Sequence, residues 1–189
     1  MLAAYDIPVV PRAAPAEPRN PEFAYVRLGY GECFDSFFAF GMFHLAGSAG
    51  FFPEALVRLF EPIVQEEGRH ILFFQNWVAY VRANRPASHR PVHRFTCARA
   101  LAMSVASRIR IGLQLKGANR GAAADGKSFP TERFSLRGFL DLCLSENERR
   151  LAPYDAGLIR PRLIPALAGA LVRMLPARAG SGAVDARPA

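Results

Sequence analysis

The chain has 189 residues and a mass of 20.8 kDa, enough for one domain with a real core and too few for two ordinary domains and a linker. Hydrophobic residues make up 51% and charged residues 21%, which excludes an intrinsically disordered chain. Lys and Arg together number 24 against 16 acids, and the resulting net charge of +8 bears on anionic partners rather than on fold.

Fifteen Phe against a single Trp point to a core built mainly from phenylalanine. Cys33, Cys97 and Cys143 form no Cys-x-x-Cys pair, so neither a disulfide framework nor a zinc ribbon is indicated and buried free thiols are expected. The opening residues, with Asp6 followed by prolines, contain no signal-peptide hydrophobic region, and a cytoplasmic protein is expected. The longest apolar stretch, residues 34–52, is interrupted by Asp35 and His44 and carries several glycines, which argues against a membrane span.

Residues 1–20 hold Pro8, Pro11, Pro15 and Pro18 and little periodicity, and read as an extended arm. Asn20-Pro21 reads as a cap and a first-turn proline, opening a first helix over about residues 21–46 that stops in Gly47-Ser48-Ala49-Gly50. A second helix starts at Phe52-Pro53-Glu54 and runs to about Arg82, with Pro62 bending it or tightening its first turns. A linker rich in Arg, His and Pro leads to a third helix over about residues 94–116. Residues 117–126 read as a loop, a fourth helix spans about 131–151, and a shorter fifth about 161–175. The helical domain is thus placed at 21–175, with a disordered tail at 176–189. No strand signal and no internal repeat is present.

The second helix carries the most specific pattern: Leu56, Phe60, Ile63, Glu67, His70, Phe74, Trp77 and Val81, spaced alternately by four and three, read as an inward seam. Glu67 and His70 occupy two of its positions. The first helix repeats the anomaly along Tyr25, Leu28, Glu32, Asp35, Ala39, Met42 and Ala46, with two acids in successive places. A buried carboxylate costs several kcal/mol, roughly, unless it is paired or bound to a metal. In an antiparallel hairpin turning at residues 47–50, Glu32 faces Glu67 and Asp35 faces His70 at one level.

A helix-borne Glu32 followed by Glu67-Gly68-Arg69-His70 on the antiparallel partner resembles the first half of the ferritin-like, non-haem di-iron carboxylate proteins. The resemblance implies an all-α, antiparallel four-helix bundle with a short additional C-terminal helix. It also implies that Glu32 binds one metal, Glu67 bridges two and His70 ligates the first, with Glu66 as an entry-path acid. The second half departs from the pattern, since Glu146-Asn147-Glu148-Arg149 has Arg149 where a histidine belongs and the third helix holds no acid. Glu146 follows Leu136, Phe139 and Cys143 and can still point inward. The candidate metal ligands are therefore Glu32, Asp35, Glu67, His70 and Glu146. Oxygen donors with one imidazole suit iron or manganese, mononuclear or dinuclear, and the implied activity is that of an oxidoreductase using oxygen or peroxide.

The alternative is a metal-free helical interaction protein whose inner acids pair with Arg149 or Arg150. Between Glu67 and Asp125 there is no acid, yet the stretch holds Arg69, Arg82, Arg85, Arg90, Arg94, Arg99, Arg108, Arg110, Lys116 and Arg120. Such a basic band around the second-to-third linker would take an anionic partner such as RNA or an acidic protein. His44 reads as a surface or cap residue, and His89 and His93 as parts of a solvated basic loop. No phosphate loop, nucleophile elbow or Ser-His-Asp set is evident.

Overall fold

The computed structural model describes residues 17–118 and 135–176. Among them the regular structure is helical, in the order α1 (Pro21–Ser48), α2 (Glu54–Asn84), a short 3-10 turn (Ala87–His89), α3 (Arg90–Ala118), α4 (Leu136–Leu151) and α5 (Leu163–Met174). Most of the expected arm and tail, and most of the expected loop after the third helix, lie outside the described residues.

The helix ends follow local chemistry. The Asn20 carboxamide oxygen accepts from the Phe23 amide at 2.9 Å, with Pro21 in the first turn. At the other end of α1, Gly50 adopts φ +66, its amide bonds the Gly47 carbonyl, and the Phe51 amide returns to the Ala46 carbonyl at 3.0 Å. That double closure is the Schellman arrangement, and only glycine takes its left-handed position without strain. Ser135 caps α4 through the Gly138 amide at 3.1 Å. α2 continues through Pro62, which has no amide to donate to the carbonyl of Arg58.

α1 is the centre of the structure. It packs against α3 and α4 most extensively, against α2, and against α5, which lies mainly on α4. An up-and-down bundle of four equivalent helices gives each helix two neighbours, whereas here one helix is surrounded. The sequence accounts for this: α1 carries Phe34, Phe37, Phe38, Phe40 and Phe43 over more than half of its circumference, wider than the stripe that a single neighbour covers. Glycines bring the neighbours close. A Cβ at Gly29 would overlap the Phe74 ring, and one at Gly41 would overlap the Cys143 sulfur and stand 3.2 Å from its Cα.

Over their middle turns both inward seams are displaced by one residue from the expected ones, whereas Phe74 and Ala46 of the expected rows are buried and Tyr25 and Trp77 pack against the core. On α2 the buried positions include Gly68, Ile71 and Leu72, so the packed row runs Val57, Val64, Gly68, Ile71, Val78, with Leu56, Phe60 and Ile63 exposed. On α1 the row runs Val26, Gly29, Cys33, Ser36 and Phe40, while Leu28, Asp35 and Met42 face out. One residue is 100° of helix rotation, enough to carry a polar pair from core to rim. Two clusters result, one around Val26, Phe40, Ile71 and Phe74, the other around Phe37, Leu140, Cys143 and Val172.

Candidate functional site

The rotation of the two seams decides where the candidate ligands go. Glu67 and His70 lie one turn apart and touch, with Glu67 Oε2 3.3 Å from His70 Nδ1, but the His70 side chain is 64% exposed and the pair sits on the rim of α2. Asp35 is exposed and grips Arg108 of α3, whose Nε lies 3.0 Å from Asp35 Oδ1 and whose Nη2 meets Oδ2. Glu32 adds its charge to the field on Arg108, and Asp35 thus meets the acid-free α3 and not α2. Gly31 leaves room for that guanidinium, because a Cβ there would stand 2.6 Å from Arg108 Nη2.

Glu146 does point inward, as expected for its place on α4, and is buried. Its carboxylate is surrounded by basic side chains: Arg149 Nη2 at 2.8 Å and Nε at 3.0 Å, His44 Nδ1 at 3.0 Å and Arg150 Nε at 3.6 Å. Burial pushes this carboxyl up, yet the hydrogen bonds from Arg149 and the charges of His44, Arg149 and Arg150 outweigh it and hold the group below its ordinary 4.5. Arg150, 1% exposed, reaches past the Phe40 ring to Glu61 of α2, with Nη2 3.0 Å from Oε2. His44 is thus a surface residue with a buried partner.

The five candidates therefore divide among three places, namely a rim pair on α2, a bridge from α1 to α3, and an arginine-neutralised carboxylate on α4. Among the described residues no group of three or more His, Cys, Asp and Glu is arranged to hold a metal ion. Asp35 and Glu146 already have guanidinium partners where a ligand would need open lone pairs, so the donor set as placed does not fit an iron or manganese centre.

A fourth polar cluster is absent from the sequence reading. His93 does not belong to a solvated loop; it is 1% exposed inside the first turn of α3. Its Nδ1 lies 2.8 Å from Glu22 Oε1 and its Nε2 3.6 Å from the Cys97 sulfur. Glu22, in the first turn of α1, is held in addition by Arg85 Nη2 at 2.7 Å. Burial raises the Glu22 carboxyl, but Arg85 and His93 bring it below 4.5 overall. The signal that could have found this cluster is the four-residue spacing of His93 and Cys97, which puts both on one helix face.

With His93, Ala100, Ser104 and Arg108 turned inward, the opposite face of α3 is left outside. Val92, Phe95, Arg99, Ala102, Ala106 and Ile109 recur at spacings of three and four and are exposed, Phe95 to 69%. Arg94 and Arg110 flank this apolar row, and α3 contains no acid. Among the described residues of the basic stretch Arg69, Arg85 and Arg108 are engaged by Glu66, Glu22 and Asp35, and Arg99 lies over the Phe23 ring, while Arg82, Arg90, Arg94 and Arg110 are also exposed.

No described helix is long and apolar enough to cross a membrane. Comparison of the chain with protein-family models, with curated proteins and with solved structures finds no match.

Proposed function

We propose that this chain is a helical interaction protein that docks an acidic, amphipathic segment of another protein on the outer face of α3. The observation that carries this reading is the exposed row Val92, Phe95, Arg99, Ala102, Ala106 and Ile109 on a helix without acids, flanked by Arg94 and Arg110. Exposed apolar rows edged by one sign of charge mark association surfaces, with aromatic residues and Arg as their usual anchors. A protein partner is favoured over RNA because Phe95 is the one aromatic ring in the row; Val92 and Ile109 interdigitate with side chains but offer no platform for base stacking. Glu146 supports the same reading, since its buried carboxylate is occupied by Arg149 and Arg150.

The test is fluorescence anisotropy with three probes: a synthetic amphipathic helix of Glu and Leu, polyglutamate, and poly(U). The Glu/Leu helix should bind most tightly, and Phe95→Ser should weaken it about tenfold, the equivalent of ~1.5 kcal/mol of lost burial. Tighter binding of poly(U), or no binding of the helix, overturns the proposal.

A second reading is a ferritin-like bundle with an iron or manganese site performing oxidative chemistry. Glu67 and His70, one turn apart and 3.3 Å from each other, favour it. It requires Glu32 to reach this pair, and metal content after ferrous loading decides it.

A further inference from the structure

Cys97, His93 and Glu22 stand in the order thiol, imidazole, carboxylate. The Cys97 sulfur is 3.6 Å from His93 Nε2, and His93 Nδ1 is 2.8 Å from Glu22 Oε1. With the Glu22 carboxylate as acceptor at Nδ1, the neutral form of the ring carries its lone pair on Nε2, which faces the sulfur. Three features make the arrangement more than a lone cysteine. His93 is almost fully buried, so its ring has one orientation. Glu22 is itself fixed by Arg85. Cys97 is partly exposed, whereas Cys33 and Cys143 are buried.

We infer that Cys97 is a thiol built to react with hydroperoxides, with His93 as its base and Glu22 as the positioning carboxylate. The sulfur attacks one peroxide oxygen, so that an S–O bond forms and the O–O bond breaks. The thiol proton passes to His93 Nε2 and then to the departing oxygen, which leaves as water or an alcohol. Sulfur is oxidised by two electrons to the sulfenic acid, and the peroxide is reduced by the same two. A small oxidant suits a sulfur that is only partly open to solvent.

The groups facing the pair are Glu22 and Tyr30 from α1, Arg82 from α2 and Arg85 just beyond it. Burial pushes the Cys97 thiol above its ordinary 9.0, against the hydrogen bond from Tyr30 and the charges of Arg82 and Arg85. The resting group is therefore the thiol, and its reactivity rests on the base beside it. Burial likewise raises Cys33, to about 11, and Cys143, to about 12, and neither has a histidine in contact.

The experiment treats the full chain with hydrogen peroxide, traps sulfenic acid with dimedone and follows each cysteine by mass spectrometry. Cys97 should be labelled at least about tenfold faster than Cys33, Cys143 or the same Cys97 in urea-unfolded chain. His93→Gln should remove about tenfold or more of that rate, within the usual span of a general base. Its rate should then climb tenfold per pH unit up to pH 9, where the parent levels off earlier. Glu22→Gln, which keeps a hydrogen-bond acceptor at the surface end of the relay, should slow the reaction and shift the profile without loss of helical circular dichroism. Cys97 reacting no faster than in the unfolded chain, preferential labelling of Cys33, or a folded Glu22→Gln protein with the parent's rate and profile overturns the inference.

Discussion

Arg150 of α4 and Glu61 of α2 are joined across the structure, guanidinium Nη2 to carboxylate Oε2 at 3.0 Å, with the arginine at 1% exposure and its Cζ 5.3 Å from the centre of the Phe40 ring. Arg150 Nε and Nη1 have no hydrogen-bond partner, so Glu61 and the Glu146 charge carry its compensation. α2 touches α4 along little of its length, and this ion pair joins them beside the hydrogen bond from Gln65 Nε2 to the Arg150 carbonyl at 2.8 Å.

Glu146→Gln should therefore cost about 3 kcal/mol of stability, since removing one member of a buried charge cluster strands the others. Arg150→Met should cost less, because an apolar side chain of similar length replaces a guanidinium whose desolvation is incompletely offset. Urea denaturation of the two variants checks the order, and Arg150→Met proving the worse would refute the assignment.

Stability should fall in acid. The folded carboxyls of Glu146 and Glu22 lie below their ordinary 4.5, so between that value and the folded pKa the unfolded chain binds more protons. Their contribution is fully present above 4.5 and is lost as the pH drops through the lower, folded pKa. The urea midpoint should decline as the pH falls below about 4.5, and the double variant Glu22→Gln, Glu146→Gln should show a shallower decline there.

Two glycines of α1 should respond in opposite ways to alanine. At Gly41 the new methyl meets the Cys143 sulfur and the α4 backbone, which cannot move aside, and about 2–3 kcal/mol should be lost. At Gly47 the nearest atoms are the Val57 methyls at 3.5 and 3.6 Å, an ordinary contact, so gain of helix propensity should stabilise by roughly 0.5–1 kcal/mol. Thermal melts of the two variants distinguish them.

Iron should not bind stoichiometrically. With Asp35 on Arg108 and Glu146 on Arg149 and Arg150, chain loaded with ferrous ion and desalted should retain well under one ion per molecule. Stoichiometric retention that disappears in His70→Ala would instead restore the ferritin-like reading.

The helices themselves were legible in the sequence. Asn20-Pro21, Gly47 to Gly50 and Pro53-Glu54 mark ends that the structure places within two residues, because caps and left-handed turns are decided by neighbouring residues alone. Burial of Glu146 was legible as well. The facing of α1 and α2 was not. Phe34, Phe37, Phe38, Phe40 and Phe43 spread over more than half of the circumference of α1, and Ile71-Leu72-Phe73-Phe74 crosses two adjacent faces of α2, so apolarity alone leaves the facing of each helix open by a residue.

Local composition thus determined the helices of the described residues, a carboxylate on the inside of α4 and an arginine surplus around α3, whereas the core mixes Phe37, Phe40 and Phe74 with aliphatic residues, alanine and cysteine. Only the tertiary structure decided that Asp35 meets Arg108, that Glu67 and His70 stay on the rim, and that Glu22 closes on His93 and Cys97. The reason is that a one-residue choice of seam turns a helix by 100°, and close packing at Gly29, Gly41 and Gly68, not hydrophobicity, makes that choice.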